Sequence, residues 1–162
     1  LIGVLLAWLM LALPAAAQEA GRFVEHKAVP STNIAPPLVT VWLPPGYDKG
    51  SRRYPVVYMH DGQNLFLPER SNFKKVWGAD KSALRLIATR KVAPFIIVGI
   101  DHPGKERFQQ YFPVKVPRET FRQGIEGFAG PLKGDAYLRF LADELKPFID
   151  RTYRTRPQPR FT

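Results

Sequence analysis

The stretch PVVYMHDGQ, residues 55–63, decides the fold of this chain. Its first five residues form an unbroken apolar run, and the four that follow are polar or turn-forming. A strand that is buried on both faces has this continuous apolar character, and such strands belong to parallel sheets that helices cover. The change in character at His60 predicts that the strand ends in a turn at this point.

A second run of the same kind follows downstream, at residues 94–100, and it ends at Asp101. Between the two runs, residues 80–90 place their apolar side chains on one helical face and carry a basic residue, Arg90, at the end. Strand, helix and strand in this order predict a right-handed crossover between parallel strands. Two further strands are predicted upstream, at residues 22–29 and 38–43.

The best helical pattern covers residues 135–149, with Asp135 placed to cap it and Pro147 expected to bend or end it. Its apolar stripe follows the helical period at Leu138, Leu141, Leu145 and Phe148. Residues 160–162 are predicted to begin the next parallel strand. The elements together predict a three-layer α/β sandwich with a mostly parallel sheet, and residues 102–133 between them show no clear periodicity.

The first seventeen residues differ from the rest because none of them is charged. An apolar run is followed by Pro14 and three alanines, which form an A-x-A cleavage signal. The run is shorter than the ~20 residues that a membrane span needs, so a signal peptide is favoured over a membrane anchor. We therefore expect a signal peptide at residues 1–17, a domain at residues 18–162, a secreted or periplasmic protein and no stable membrane insertion.

The charge and cysteine content restrict the function further. The net charge is +10, but the basic residues are scattered along the chain and no nucleic-acid-binding motif accompanies them. This favours a solvated basic surface over nucleic-acid binding, with attraction of acidic substrates or anionic envelope surfaces as a weaker alternative. The absence of cysteine excludes disulfides, thiolate catalysis and cysteine-ligated metals.

Residues 56–66, VVYMHDGQNLF, resemble the putative-esterase branch of the α/β-hydrolases, which includes enterochelin esterase-like and feruloyl esterase-like enzymes. Other segments resemble the same family in the same order, and the resemblance covers residues 38–162. These segments are residues 41–47, Trp77 with Asp80, residues 94–101, Arg107, residues 111–113 and residues 137–153. The resemblance implies an α/β-hydrolase fold that is truncated before the nucleophile elbow.

Ester hydrolysis on this fold needs a serine on a G-x-S-x-G elbow, followed in the chain by an acid and a histidine. The sequence contains no G-x-S-x-G, and no serine follows a buried strand with flanking glycines; the four serines are Ser31, Ser51, Ser71 and Ser82. The resemblance places the elbow after Thr162. We therefore expect no catalytic triad within residues 1–162, and no esterase activity from these residues alone.

The resemblance does imply half of an oxyanion hole. One donor in this fold comes from the loop after the strand that ends at Met59. The backbone N–H of Gln63 fits by position, with Gly62 as the neighbour that permits close backbone approach and an unusual φ. The alternative is an ordinary turn at the end of a strand, because Asp-Gly is a common turn pair.

Five polar residues lie near the predicted edge of the sheet and are candidates for lining a substrate cleft: His60, Asp61, Asp101, His102 and Arg107. For His60 the favoured alternative is a partly buried structural residue, for Asp101 and His102 a cap or turn, and for Arg107 a structural ion pair. The spacing of the histidines and aspartates matches no compact metal-binding motif, so neither a metal nor another cofactor is expected.

These observations favour a serine carboxylic-ester hydrolase of the cell envelope, which would act on a small-molecule or glycan ester through an acyl-enzyme. Two alternatives stay open. The first is a catalytically inactive binding module of the same fold, and the second is an acyltransferase.

Overall fold

The computed structural model describes residues 20–115 and 130–162, so the predicted signal peptide lies outside the described residues. Four strands form one sheet in the order β1-β2-β4-β3. The strands are β1 (Arg22–His26), β2 (Val39–Leu43), β3 (Val56–His60) and β4 (Ile96–Ile100). All four correspond to strands that the sequence predicts, within a few residues at their ends.

The sheet is mixed, and over the described strands the expectation of a mostly parallel sheet is wrong. Only β3 and β4 pair in parallel, with Tyr58 opposite Val98. The pairs β1 with β2 and β2 with β4 are antiparallel. Every residue of β2 and β4 is buried. The apolar run of β4 is therefore buried on both faces, as expected. The same expectation for β3 is wrong, because β3 is the last strand of the described sheet and Val57 is 42% exposed. Neither run carried information about the direction of the neighbouring strands.

Helices cover both faces of the sheet, which confirms the three-layer α/β architecture. On one face, Val41 and Val98 pack in a core with Phe140 and Ile149 from the C-terminal helices. On the opposite face, neighbouring strand residues such as Trp42 and Ile97 pack with Leu65, Phe66 and Ala83. Alternate residues of a strand point to opposite faces, so each central strand contributes to both cores.

The helix predicted between the parallel strands is confirmed as α1 (Ala79–Ala88). A short helix, α2 (Arg107–Tyr111), lies inside the stretch that showed no periodicity, and residues 116–129 of that stretch lie outside the described residues. Short 3-10 turns cover Gly62–Asn64, Gly104–Glu106 and Pro159–Phe161. Within residues 20–115 and 130–162, the helices are too short or too polar to cross a membrane.

The C-terminal helix contains a wide turn that the sequence pattern did not predict. It consists of α3 (Gly134–Arg139), a π-helical segment (Phe140–Leu145) and α4 (Lys146–Thr152). Buried residues are five positions apart across the π segment, from Phe140 to Leu145. This step rotates the buried face, so Leu138 of the predicted stripe is 63% exposed.

The expected cap of this helix is wrong, because Lys133, rather than Asp135, occupies the position before the first turn. Pro147 does not end the helix either, because it lies near the start of α4 and the helix continues to Thr152. Proline lacks a backbone donor, and the π segment just before it has already shifted the hydrogen-bond register, so the helix tolerates the ring there.

The predicted strand at residues 160–162 is also wrong, because these residues lie in or beside the 3-10 turn Pro159–Phe161. Parallel pairing instead occurs earlier, as an isolated bridge between Tyr54 and Thr155. The Tyr54 amide donates to the Arg154 carbonyl at 2.8 Å, and the Arg156 amide donates to the Tyr54 carbonyl at 2.8 Å.

Candidate active site

The loops after β3 and β4 meet at one edge of the sheet because the two strands are parallel. The carboxyl edge of such strands is where open α/β sheets bind ligands. His60 is the last residue of β3 and residues 61–63 follow it, while Asp101 and His102 follow β4. The two loops are in contact, since the backbone N–H of His102 donates to the side-chain Oε1 of Gln63 at 3.4 Å.

The turn after β3 presents two neighbouring backbone donors. The N–H of Asn64 donates to the Asp61 carbonyl at 2.8 Å, and that of Leu65 donates to the Gly62 carbonyl at 3.2 Å. The N–H groups of Gly62 and Gln63 are the first two of this 3-10 turn, where the turn itself supplies no acceptor. Neither group donates to an acceptor among the described residues. Two adjacent amides are therefore available at the edge of the sheet.

Gly62 is glycine because the backbone of β4 passes directly beneath it. A Cβ atom at this position would lie 2.7 Å from the Gly99 carbonyl carbon and 2.8 Å from Oδ1 of Asp101. The expected close approach is therefore present. The unusual φ that was expected at Gly62 is found one residue earlier, at Asp61, whose φ is 55°.

Asp61 is held by Arg107, the first residue of α2. Nε of Arg107 donates to Oδ1 of Asp61 at 2.7 Å, and Nη2 donates to Oδ2 at 2.8 Å. Burial alone would raise the pKa of Asp61, but the hydrogen bonds and charge of Arg107 outweigh it and lower that pKa. The hydrogen bond to Asp61 in turn raises the pKa of Arg107. Both groups are therefore ionised at neutral pH.

His60 is exposed rather than partly buried, and it borders a cleft. Its Nδ1 lies 2.8 Å from the Tyr137 hydroxyl, and its ring packs 5.2 Å from the ring of Tyr111. Burial raises the pKa of Tyr111 to about 12, so its phenol is neutral at physiological pH. The cleft has a volume of about 390 Å³ and is lined by His60, Tyr111, Pro113, Gly134, Asp135, Tyr137, Leu138 and Leu141.

Asp101 pairs with Arg70, a residue that no sequence pattern singled out. Nη2 of Arg70 donates to Oδ2 of Asp101 at 2.7 Å, and Nη1 donates to Thr40 Oγ1 at 2.8 Å and Glu25 Oε1 at 2.9 Å. The other carboxylate oxygen, Oδ1, is buried with no partner among the described residues. Burial raises the pKa of Asp101 against the opposing charge of Arg70.

His102 is part of a turn, in agreement with the alternative that the sequence favoured for it. Its Nδ1 accepts a hydrogen bond from the Gly104 amide at 2.9 Å. Its Nε2 lies 3.2 Å from the side-chain nitrogen of Asn72. Both ring nitrogens therefore have neighbours in the loops, which fixes the orientation of the ring.

The described residues bring no group of three histidine, aspartate or glutamate side chains together that would hold a metal ion. The buried Asp61 and the half-buried Asp101 each face an arginine instead. The four serines all lie within the described part of the chain, and none of them is hydrogen-bonded to a histidine there. Ser31 donates to Glu144, Ser71 donates to the Lys75 carbonyl, Ser82 lies in α1 and Ser51 is exposed.

Solved structures share this arrangement of sheet and helices. An IroE-like serine hydrolase from Shewanella oneidensis gives a TM-score of 0.59 at 22% identity, over 83% of this chain and 39% of that one. A ferulic acid esterase gives 0.58 at 21% identity, over 87% and 47%. The BES protein from Bacillus cereus gives 0.55 at 19% identity, over 84% and 47%. The fold is therefore that of the α/β-hydrolases, and the chain spans less than half the length of these proteins.

The family follows from the sequence itself. The family model Esterase, described as "Putative esterase", matches residues 35–161, which is most of the chain. The chain belongs to this esterase family. No curated protein sequence gives a match.

Proposed function

We propose that this chain is part of a carboxylic-ester hydrolase, and that the amides of Gly62 and Gln63 stabilise the negative carbonyl oxygen in the transition state. The observation that carries the proposal is the pair of neighbouring N–H groups at the carboxyl edge of β3, neither of which has an acceptor among the described residues. Preorganised donors of this kind act where charge develops during acyl transfer. The esterase family match supports the same reaction class.

The proposed reaction is acyl transfer through a serine. The serine oxygen bonds to the acyl carbon, the bond from that carbon to the alcohol oxygen breaks, and a histidine moves the serine proton to the leaving alcohol. Water then attacks the acyl-enzyme, which releases the acid and restores the serine. None of the four serines lies on a strand-to-helix elbow, so the proposal places the nucleophile outside residues 1–162.

The cleft beside His60 fits the acyl or alcohol part of an ester, because tyrosine, proline and leucine side chains supply most of its lining. We propose small-molecule or glycan-linked esters as substrates. The structural similarity to a ferulic acid esterase is compatible with such a substrate. Adding an alcohol to the assay and identifying the products would separate hydrolysis from transfer to that alcohol.

We further propose that residues 1–17 direct export and are removed, so that the mature protein is secreted or periplasmic. The support is the uncharged apolar run followed by the alanines at residues 15–17. N-terminal sequencing of the protein from the producing cell tests this point. A mature protein that begins after Ala17 is expected, and one that retains residues 1–17 would contradict the proposal.

The test of the oxyanion role compares two variants of the full-length protein that differ in a single backbone group. Lactic acid at position 63 changes the amide N–H to an ester oxygen, and Gln63→Ala is the matched control that keeps the N–H. With p-nitrophenyl acetate we expect the ester variant to lose about 10²-fold in kcat relative to the control. Equal kcat values would refute the assignment. We expect residues 1–162 alone to be poorly soluble and to show no turnover, and turnover abolished by changing one of their own residues would contradict this.

A further inference from the structure

The backbone at Asp61 has a conformation that its own side chain does not stabilise. Its φ of 55° and ψ of 44° lie in the left-handed region, which costs a residue other than glycine of order 1–2 kcal/mol. Aspartate often tolerates this region through a hydrogen bond to the neighbouring backbone. Here the carboxylate makes no such capping bond to the following turn. Another part of the molecule must therefore hold this conformation.

Arg107 supplies that restraint from 46 residues away in the chain. Its planar guanidinium engages both oxygens of Asp61, and a two-point contact fixes the orientation of the carboxylate as well as its position. The Asp61 side chain is 12% exposed and that of Arg107 is 36% exposed, so the contact is partly shielded from water.

Arg107 is itself held in place by the helix that carries it. Its guanidinium lies 5.1 Å from the ring centre of Tyr111, one helical turn further along α2. The end of α2 is tied to α3 because the Lys133 amide donates to the Gln109 carbonyl at 2.6 Å. Gly134 packs so closely on the Phe112 carbonyl that a Cβ atom would not fit. The chain of contacts thus runs from α3 through α2 and Arg107 to Asp61.

We propose that Arg107 is a positioning residue, which holds Asp61 in its left-handed conformation and thereby aims the Gln63 N–H at the reacting carbonyl oxygen. This inference rests on the proposed function, since it concerns the same oxyanion site. Arg107 acts through the backbone of residues 61–63 and need not touch the substrate. A displacement of about 1 Å at such a donor is enough to lower a rate by about 10²-fold.

The experiment is a double-mutant cycle on the full-length enzyme with p-nitrophenyl acetate. Arg107→Met keeps a side chain packed on Tyr111 and removes the two hydrogen bonds from the guanidinium to Asp61. This variant is combined with lactic acid at position 63. Arg22→Met is the matched control. On an exposed surface, Arg22 Nε donates to Oδ2 of Asp48 at 3.0 Å and Nη2 donates to Oδ1 at 2.9 Å, which is the same two-point geometry. Arg107→Lys, which keeps the charge without the planar fork, serves if the methionine variant fails to fold.

We expect Arg107→Met to lower kcat by about 10- to 10²-fold with little change in KM, and Arg22→Met to leave both unchanged. In the protein that already lacks the position-63 N–H, Arg107→Met should lower kcat by a much smaller factor, since the group that Arg107 positions is gone. Equal losses in both backgrounds, or a loss confined to KM, would overturn the role of Arg107 alone. An ester variant with the kcat of Gln63→Ala would overturn the oxyanion site together with this role.

Discussion

Two arginine–aspartate pairs lie at the same edge of the sheet, and they differ in geometry and in the direction of the pKa shift. Arg107 contacts both oxygens of Asp61, and the pKa of Asp61 is lowered. Arg70 contacts one oxygen of Asp101, whose other oxygen is buried without a partner among the described residues, and the pKa of Asp101 is raised. Proximity to an arginine therefore does not settle the direction of the shift.

The difference shows what each pair contributes to the turn after β3. Burial opposes ionisation at both aspartates, and only the two-point contact at Asp61 outweighs it. Asp61 is thus held firmly as a carboxylate that fixes the backbone. Asp101 instead packs against the turn, because its Oδ1 lies next to the backbone of Gly62.

The largest loss of stability is expected for Gly62→Ala, which would disrupt the close contact between the turn after β3 and Asp101. The new methyl group would collide with the backbone at Gly99 and Ile100 and with Asp101, so the loops must separate. We expect a loss of about 3 kcal/mol in the free energy of unfolding, measured with urea. The matched control is Gly104→Ala, where φ is +67° but space is open, with an expected loss of about 1 kcal/mol. Equal losses of unfolding free energy in the two variants would contradict the close approach of Gly62 to the backbone of β4.

Asp61→Asn should have the next largest effect. It removes a carboxylate that accepts two charged hydrogen bonds, and we expect a loss of about 2 kcal/mol in unfolding free energy. Asp101→Asn should cost about 1 kcal/mol or less, because burial already disfavours the charge at this position. Urea unfolding at pH 7 measures both variants. A larger loss for Asp101→Asn would reverse the comparison.

The two aspartates should also affect stability in different pH ranges. Asp61 has a folded pKa below its ordinary 3.8, so its contribution is present above that value and is lost as the pH falls through the folded pKa. Asp101 has a folded pKa above 3.8, so stability decreases as the pH rises from 3.8 through that pKa. Unfolding free energies across this range should show Asp61→Asn altering the slope below pH 3.8 and Asp101→Asn altering it above. Changes in the same range would disprove the opposite shifts.

The smallest effect is expected for Arg22→Met. The pair with Asp48 has two-point geometry like that at Asp61, but its side chains are 51% and 64% exposed. Water and salt screen such a contact, so we expect an unchanged melting temperature within the error of a thermal scan. A clear fall in the melting temperature would mean that the two-point geometry stabilises the fold even where water surrounds the pair.

The sequence predicted the four strands, α1 and the turn after β3, because these depend on local apolar patterns and turn residues. It did not predict the antiparallel direction of β2, since burial on both faces has the same pattern in either direction. The π segment was missed because the pattern was compared with an unbroken 3.6-residue period, which a five-residue step from Phe140 to Leu145 interrupts.

The ion pairs at the site could not be predicted for a different reason. Arg70 lies in a turn with no periodic pattern, 31 residues before Asp101, and only the folded sheet edge brings the two together. Asp61 and Arg107 were both selected from the sequence, but as separate residues that line a cleft. Their pairing depends on the position of α2 over the loop, which no local pattern encodes.

The most direct test of the proposed oxyanion role is a crystal structure of the full-length protein with a boronic acid bound to the proposed serine nucleophile. The tetrahedral boronate mimics the transition state, and one of its oxygens occupies the position of the oxyanion. The structure predicts that this oxygen lies about 2.7–3.1 Å from the backbone nitrogen of Gln63. A boronate oxygen held by other donors, with the Gln63 amide turned away from it, would contradict the account.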